Sequence, residues 1–332
     1  MNNFRYITNS RQLIAGIGSA LVDILIHEDD EFLANMGAAK GGMTLVAKED
    51  IERTLAMSSA KSSVVPGGSA CNTVIGVGNL GGKARFVGKC GSDEMGNLIE
   101  DDLKRQNVEP ALLRADSPTG CSLSIITPDA QRSMFTYLGA SAETRPEDIT
   151  VHSFKDAAVV LVEGYLLYNP DLIKASLSAA KKAGAKIALD LASYTVVAES
   201  KALLERLVEA YVDILIANED EAEAYTGHSD ERKALEALAA KADIAVLKVG
   251  PRGSYVTHAG DTTTVTPMGD GKALDTTGAG DLWAAGFLFG LVNGYSIDHC
   301  GRLGSACGYE VCQVIGAHIP ADGWNRIKRL LD

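Results

Sequence analysis

Between residues 157 and 250 the chain repeats one rhythm, a short apolar run followed by a stretch with helical period. The apolar runs are AAVVLVEGY (157 to 165), AKIALDL (185 to 191), VDILIAN (212 to 218) and DIAVLKVG (243 to 250). Between them fall DLIKASLSAAKKAG, KALLERLVEAY and DERKALEALAAKA. Runs this short and this uniformly apolar suit strands buried on both faces, the condition of a parallel sheet covered by helices. The expected fold is therefore α/β, with ligands held where each run turns polar or reaches glycine. Two segments break the rhythm, residues 24–65 and 116–141. The alternating CSLSIIT and RSMFTYL in the second predict antiparallel strands of a smaller appendage. No repeat, low-complexity tract or linker divides the chain.

Composition narrows the partners. With 332 residues and 46% hydrophobic content, the chain has material for a large core. Its 43 acidic and 31 basic residues give a net charge of −12, which argues against a broad nucleic-acid or anionic-membrane surface. Any anionic ligand must be held locally. The six cysteines (71, 90, 121, 300, 307 and 312) form no CxxC pair, so free thiols and a cytoplasmic setting are expected rather than disulfides or zinc ligation. The apolar stretch LIAGIGSALVDILI (13 to 26) is short and carries Asp23, which suits a buried strand better than a targeting or spanning segment.

The stretch DTTGAGD (275 to 281) runs straight into the apolar LWAAGFLFGL. Glycines at 278 and 280 let successive amides point the same way at the head of a helix, which makes a nest for phosphate or a developing oxyanion. Asp281 at that helix start reads either as a cap or as a base that takes a proton from an attacking hydroxyl. Earlier, PGGSACNT (66 to 73) sets paired glycines beside Asn72, whose amide both donates to and accepts from hydroxyls. The same residues also read as a turn before a helix capped by Ser69. GIGSALVD (16 to 23) begins like a dinucleotide fingerprint but has Leu21 where the third glycine belongs. Asp23, just past that strand, reads as an acceptor for vicinal hydroxyls or as a solvated loop acid.

In NEDEAEAYTG (218 to 227), Asn218 and Glu221 lie three residues apart on one helical face. They read either as holders of a hydrated Mg2+ or as part of an acidic first turn that complements the helix dipole. KVGPRGSYV (248 to 256) gives a strand, a Gly-x-x-Gly turn and a second strand, with Lys248 able to reach a phosphate, or else a simple hairpin. The chain has no Walker sequence.

GGSACN, NEDE, KVGPRG and DTTGAGD, in that order and spacing, resemble the PfkB or ribokinase family of ATP-dependent sugar and nucleoside kinases. The likeness spans nearly the whole chain. It implies one ribokinase-like α/β domain over residues 1–332, a Rossmann-type three-layer sandwich with a mainly parallel central sheet. A small discontinuous β lid from about 24–65 and 116–141 is implied with it. It also implies transfer of the ATP γ-phosphoryl group to an alcohol, with ATP and Mg2+ as cofactors. By resemblance, Asp281 is the base and the Thr277–Gly280 backbone, including Gly278 and Ala279, is the anion hole. Asp23, Gly67, Gly68 and Asn72 fall on the substrate hydroxyls, Asn218 and Glu221 on Mg2+ through water, and Lys248, Gly250, Gly253 and Thr277 on the nucleotide. Asp275 is expected to be structural.

Within the family the chain is most similar to the adenosine kinase branch, through EFLANMG, the GGSxxN loop, PTGCS with RSMFTYLGAS, and YVDILIANEDEAEAYTG. That likeness implies a nucleoside acceptor, adenosine first, with Arg132 on the lid near the transferred phosphate. A free sugar of the ribose or fructose type is the alternative, and a non-catalytic nucleotide binder a lesser one. Ser141 departs from the Asn expected of that branch at the base-recognition wall, and Tyr137 and Tyr165 are candidate stacking platforms. Residues 300–317 read as a small-residue helix pair with Cys307 and Gly308 beside the adenine. The expected partner is a small molecule, with the enzyme a monomer or homodimer.

Overall fold

The computed structural model describes residues 6–7, 10–37, 40–269 and 271–331. Residues 38 and 39 of the expected lid and both ends of the 1–332 span lie outside the described residues.

The strands are β1 (Leu13–Ile17), β2 (Leu21–His27), β3 (Met43–Leu45), β4 (Ser63–Gly67), β5 (Ala84–Gly91), β6 (Val108–Ala115) and β7 (Thr119–Ile126). They continue as β8 (Arg132–Gly139), β9 (Ala157–Glu163), β10 (Lys186–Asp190), β11 (Ile214–Asn218), β12 (Ile244–Lys248), β13 (Ser254–His258) and β14 (Asp261–Val265). The helices are α1 (Asp30–Asn35), α2 (Lys48–Met57), α3 (Ser69–Asn79), α4 (Glu94–Arg105), α5 (Pro170–Lys182) and α6 (Tyr194–Tyr211). After them come α7 (Glu219–Thr226), α8 (Glu231–Ala239), α9 (Ala279–Val292), α10 (Ile297–Val311) and α11 (Ala321–Lys328).

Among the described residues the strands form two sheets. The larger has nine strands in the order β14-β13-β12-β11-β10-β9-β1-β5-β6, parallel from β12 to β6 and antiparallel only at the β12-β13-β14 edge. The four apolar runs singled out above are its strands β9 to β12. Alternate residues feed opposite cores: Val159 and Leu161 pack with α3, α9 and α10, while Val160 and Val162 pack with α5, α6 and α8. Both faces are thereby buried, which is why these strands need no polar alternation. The sheet with a helical layer on each side is the three-layer α/β sandwich expected.

The smaller sheet runs β3-β8-β7-β2-β4. CSLSIIT and RSMFTYL are β7 and β8 and pair antiparallel as expected, but the sheet they join is mixed. β7–β8 and β2–β4 are antiparallel, but β2–β7 and β3–β8 are parallel. The reason lies in the connections. β2 and β7 each continue outward from a strand of the larger parallel sheet, so they leave in the same direction; β8 and β4 return. Helices α1 and α2 also interrupt the first lid segment. One apolar cluster runs from the lid, through Ile24, Ile26, Leu123, Ile125 and Phe135, into the core beneath α3 and α9.

GIGSALVD passes from β1 directly into β2, strand to strand, so no helix N-terminus stands there to receive a pyrophosphate. Residues 300–317 are one helix and a loop rather than a helix pair. The small residues serve close packing: a Cβ on Gly304 would lie 2.8 Å from the Trp283 carbonyl oxygen, and one on Gly301 would lie 2.3 Å from Val265 Cγ2. Helix α9 is apolar on every side and buried from Leu282 to Val292 between α3 and α10. Its buried position fixes the placement of its N-terminus. All six cysteines are free thiols, five of them buried.

Candidate active site

Helices α3 and α9 point their N-termini into a cavity of about 770 Å³ that lies between the strand ends of the large sheet and the small sheet. Gly278 caps α9 in the left-handed conformation (φ 75°), where a side chain would be strained, and a Cβ there would meet Ala317 Cβ at 2.7 Å. The N-cap is thus Gly278, and Asp281 sits three residues inside the helix without capping it. Its carboxylate turns across to α3 instead. Ser69 Oγ donates to one carboxylate oxygen at 2.7 Å and Asn72 Nδ2 to the other at 2.9 Å, while Thr73 Oγ1 donates to the Asp281 carbonyl at 3.1 Å. Burial raises the Asp281 pKa, and the bonds from Asn72 and Ser69 work against that. The result is a half-buried, oriented carboxylate open to the cavity.

The turn before it is pinned by Asp275, which is fully buried. Asp275 Oδ1 accepts from the Thr277 amide (2.9 Å) and Thr277 Oγ1 (2.7 Å), and Oδ2 accepts from the Gly316 amide (2.7 Å). The Thr277 amide is therefore committed to Asp275, and the Ala279 amide to the Thr276 carbonyl at 3.1 Å. Among the described residues the amides of Gly278 and Gly280 have no acceptor, which leaves two of the expected 277–280 nest, and the Asp281 amide just beyond it has none either. Lys248 stands beside them: a Cβ on Gly280 would fall 2.9 Å from Lys248 Nζ.

Lys248 ends β12 and pairs with Asp190, at the end of β10, at 2.9 Å. Burial alone would lower its pKa, but the Asp190 and Glu221 charges prevail and raise it, so the ammonium persists. Asn218 and Glu221 form a reciprocal capping box for α7: Asn218 Oδ1 accepts from the Glu221 amide, and the Glu221 carboxylate accepts from the Asn218 amide and Nδ2. Both line the cavity, and burial raises the Glu221 pKa. Gly250 and Gly253 line the same end, in the turn between β12 and β13, with Gly308 of α10. Cys307 is buried away from the cavity lining.

At the lid end, Asp23 of β2 opens into the cavity with Arg132 of β8 nearby, and burial pushes its pKa to about 6 although the Arg132 charge opposes the rise. Gly67 makes room for it, since a Cβ would lie 2.3 Å from Asp23 Cγ. Gly68 (φ 99°) passes close to the Ser19 carbonyl, in a conformation only glycine adopts easily. Tyr165 lines the cavity and donates to the Ala192 carbonyl at 3.2 Å; Tyr137 does not line it. Ser141 accepts from the Ala20 amide at 2.9 Å and so fastens the turn into β2 rather than the cavity wall.

Sequence reasoning passed over Glu163 and Asp190, each hidden near the end of an apolar run and each the last residue of its strand. Glu163 is buried, lines the cavity and accepts from the Ser19 amide (2.7 Å) and the Ala70 amide (3.1 Å), joining the turn between β1 and β2 to the start of α3. Burial lifts its pKa to about 7. Ser69, named only in the alternative reading and there as a cap, was the other miss; the cap is Gly68.

A profile described as pfkB family carbohydrate kinase matches residues 30–323. The chain belongs to this family. Like its relatives, this pfkB-family kinase is an ATP-dependent phosphotransferase acting on a hydroxyl. The 5-dehydro-2-deoxygluconokinase of Shouchella clausii is 31% identical over 254 residues, covering 72% of this chain and 78% of that protein. Two solved structures superpose closely. The adenosine kinase from Sinorhizobium meliloti is 34% identical, with a TM-score of 0.90 over 97% of this kinase and 100% of that chain. A protein described as a probable sugar kinase from Rhizobium etli is 32% identical, with a TM-score of 0.91 over 96% and 98%. The relatives thus share the chemistry and divide over the acceptor. No helix among the described residues is long and apolar enough to cross a membrane.

Proposed function

We propose that this pfkB-family kinase moves the γ-phosphoryl group of Mg-ATP to the 5′-hydroxymethyl of a nucleoside, adenosine first. Asp281 takes the proton of the attacking hydroxyl as its oxygen bonds to phosphorus and the bond to the ADP oxygen breaks. The amides of Gly278, Gly280 and Asp281, with Lys248 beside them, face the charge that develops on the phosphoryl oxygens. Asp23 and the Asn72 carboxamide, whose Oδ1 is buried without a partner among the described residues, hold the acceptor hydroxyls. Arg132 lies on the lid side of the transferred group.

Mg2+ fits as a metal carried mainly by phosphates and water. Among the described residues no cluster of three or more His, Cys, Asp or Glu side chains could cage a metal. Glu221, with Asn218 behind it, keeps carboxylate lone pairs for bridging waters. Bound there, Mg2+ would neutralise charge on the β- and γ-phosphates.

The observation that favours a nucleoside is the lid wall. Leu21, Met43, Leu45, Met134 and Leu138, all from the small sheet, line the cavity that also holds Asp23 and Asn72. Such a wall suits the face of a base and is a costly neighbour for a polyol. A free-sugar acceptor of ribose or fructose type is the second reading, supported by the likeness to 5-dehydro-2-deoxygluconokinase and by Arg132, which makes no ion pair among the described residues and could meet an acidic sugar. A binder without turnover is the last. The cytoplasm, where ATP is plentiful, is the setting this reading carries.

ADP release with Mg-ATP across adenosine, inosine, cytidine, ribose, fructose and 5-dehydro-2-deoxygluconate separates the three. A nucleoside is expected to exceed every sugar in kcat/KM by about 100-fold or more. A sugar in first place would remove the nucleoside assignment, and binding of ATP without turnover on any acceptor would favour the binder.

A further inference from the structure

The loop after α10 touches the phosphate turn at two points. The Gly316 amide donates to Asp275, and Ala317 packs against Gly278. On its other side, a Cβ on Gly316 would lie 3.0 Å from Leu25 Cδ1 of β2. This loop is therefore wedged between the lid and the turn that carries the free amides. What holds the loop itself in place is the next residue. His318 Nε2 lies 3.2 Å from Asp102 Oδ2 on α4. Asp102 is 3% exposed, and its other oxygen accepts from Arg105 at 3.0 Å. Asp102, held ionised, can only accept, so Nε2 is the donor; His318 Nδ1 is buried with no partner among the described residues. Burial of Asp102 would raise its pKa, but the bonds from His318 and Gln106 and the Arg105 charge prevail and lower it.

We infer that His318 is a positioning residue for phosphoryl transfer: through Asp102 it anchors the 316–318 loop, which in turn sets Asp275 and Gly278 so that the nest amides face the transferred group. The inference rests on the nest reading above. His318 itself does not line the cavity. Its removal lets the loop, and with it Gly278, shift away from the arrangement that matches the transition state, while the acceptor hydroxyl site around Asp23 and Asn72 stays intact.

The test is steady-state kinetics of the full chain with the best acceptor of the panel. His318→Leu fills nearly the same space and loses the donor; His318→Gln restores a donor of similar reach. His318→Leu is expected to lower kcat about tenfold or more with acceptor KM little changed, and His318→Gln to recover most of that loss. Asp102→Ala should give the same loss, and the double variant His318→Leu/Asp102→Ala should be no worse than either single one. Unchanged kcat in His318→Leu, a parallel fall of kcat and rise of KM with a lowered Tm, or no recovery in His318→Gln would each overturn the inference. Gly278→Ala run alongside tells which level failed. If it loses kcat while His318→Leu does not, only the anchoring role is wrong; if neither loses kcat, the nest reading falls as well.

Discussion

Asp23 illustrates what the site costs the fold. Its carboxyl is buried beneath the lid, and burial lifts its pKa to about 6 from an ordinary 3.8. A carboxyl whose folded pKa is raised favours the folded state while protonated. That contribution is complete below about pH 4 and is lost as the pH rises through about 6. At pH 8 the ionised group therefore costs on the order of 3 kcal/mol, the free energy that corresponds to moving a carboxyl from 3.8 to about 6. Asp23→Asn is expected to raise Tm by a few degrees at about pH 8 and by only about a third as much at about pH 4.5, while acceptor KM rises. Thermal melts at the two values check this; a lower Tm at the higher pH, or a gain that ignores pH, would contradict it. At this level much of the site was legible. Asp281, Asn72, Lys248 and Glu221 were found because glycine and polar residues mark strand ends and helix starts in the sequence. Ser69 was misjudged because its place depends on the positive φ of Gly68, which moves the cap by one residue. Glu163 and Asp190 were missed because a carboxylate near the end of an apolar run looks like a strand end and nothing more.

The lid hairpin meets the phosphate turn through a single bond among the described residues: Thr276 Oγ1 donates to the Ala130 carbonyl, at the tip between β7 and β8, at 3.1 Å. Lys40 braces that tip by pairing with Asp129 and Asp30, each at 2.7 Å. Asp129, Gln131 and Arg132 of the hairpin all line the cavity. The hairpin thus lies along the cavity, and its contact with Thr276 is expected to help keep water from a phosphoryl group bound there. Thr276→Val, which keeps the shape and removes the hydroxyl, is expected to raise acceptor-independent ATP hydrolysis several-fold relative to coupled transfer. ADP release with and without acceptor measures that ratio, and an unchanged ratio would show that the contact does not shield the phosphoryl group. The existence of β7 and β8 followed from their alternation. Their parallel neighbours did not, since the direction of a strand is set by where the chain enters and leaves, which alternation does not record.

Across the molecule, two helices carry the candidate site because the core leaves them nowhere else to go. Helix α9 is held by apolar contacts on every side, and α3 is buried along most of its length, so the meeting of Asp281 with Ser69 and Asn72 is set by packing. The large sheet was readable from four apolar runs; the joining of α3 to α9 across more than two hundred residues was not, because only the folded topology brings them together. Everything proposed for the transfer step depends on Asp281 being the base. Its most direct test compares Asp281→Asn with the parent enzyme in Mg-ATP turnover on the best acceptor, with ATP affinity measured calorimetrically. Turnover is expected to fall by at least about 100-fold with ATP affinity little changed; turnover within a few-fold of the parent would show that another group takes the proton.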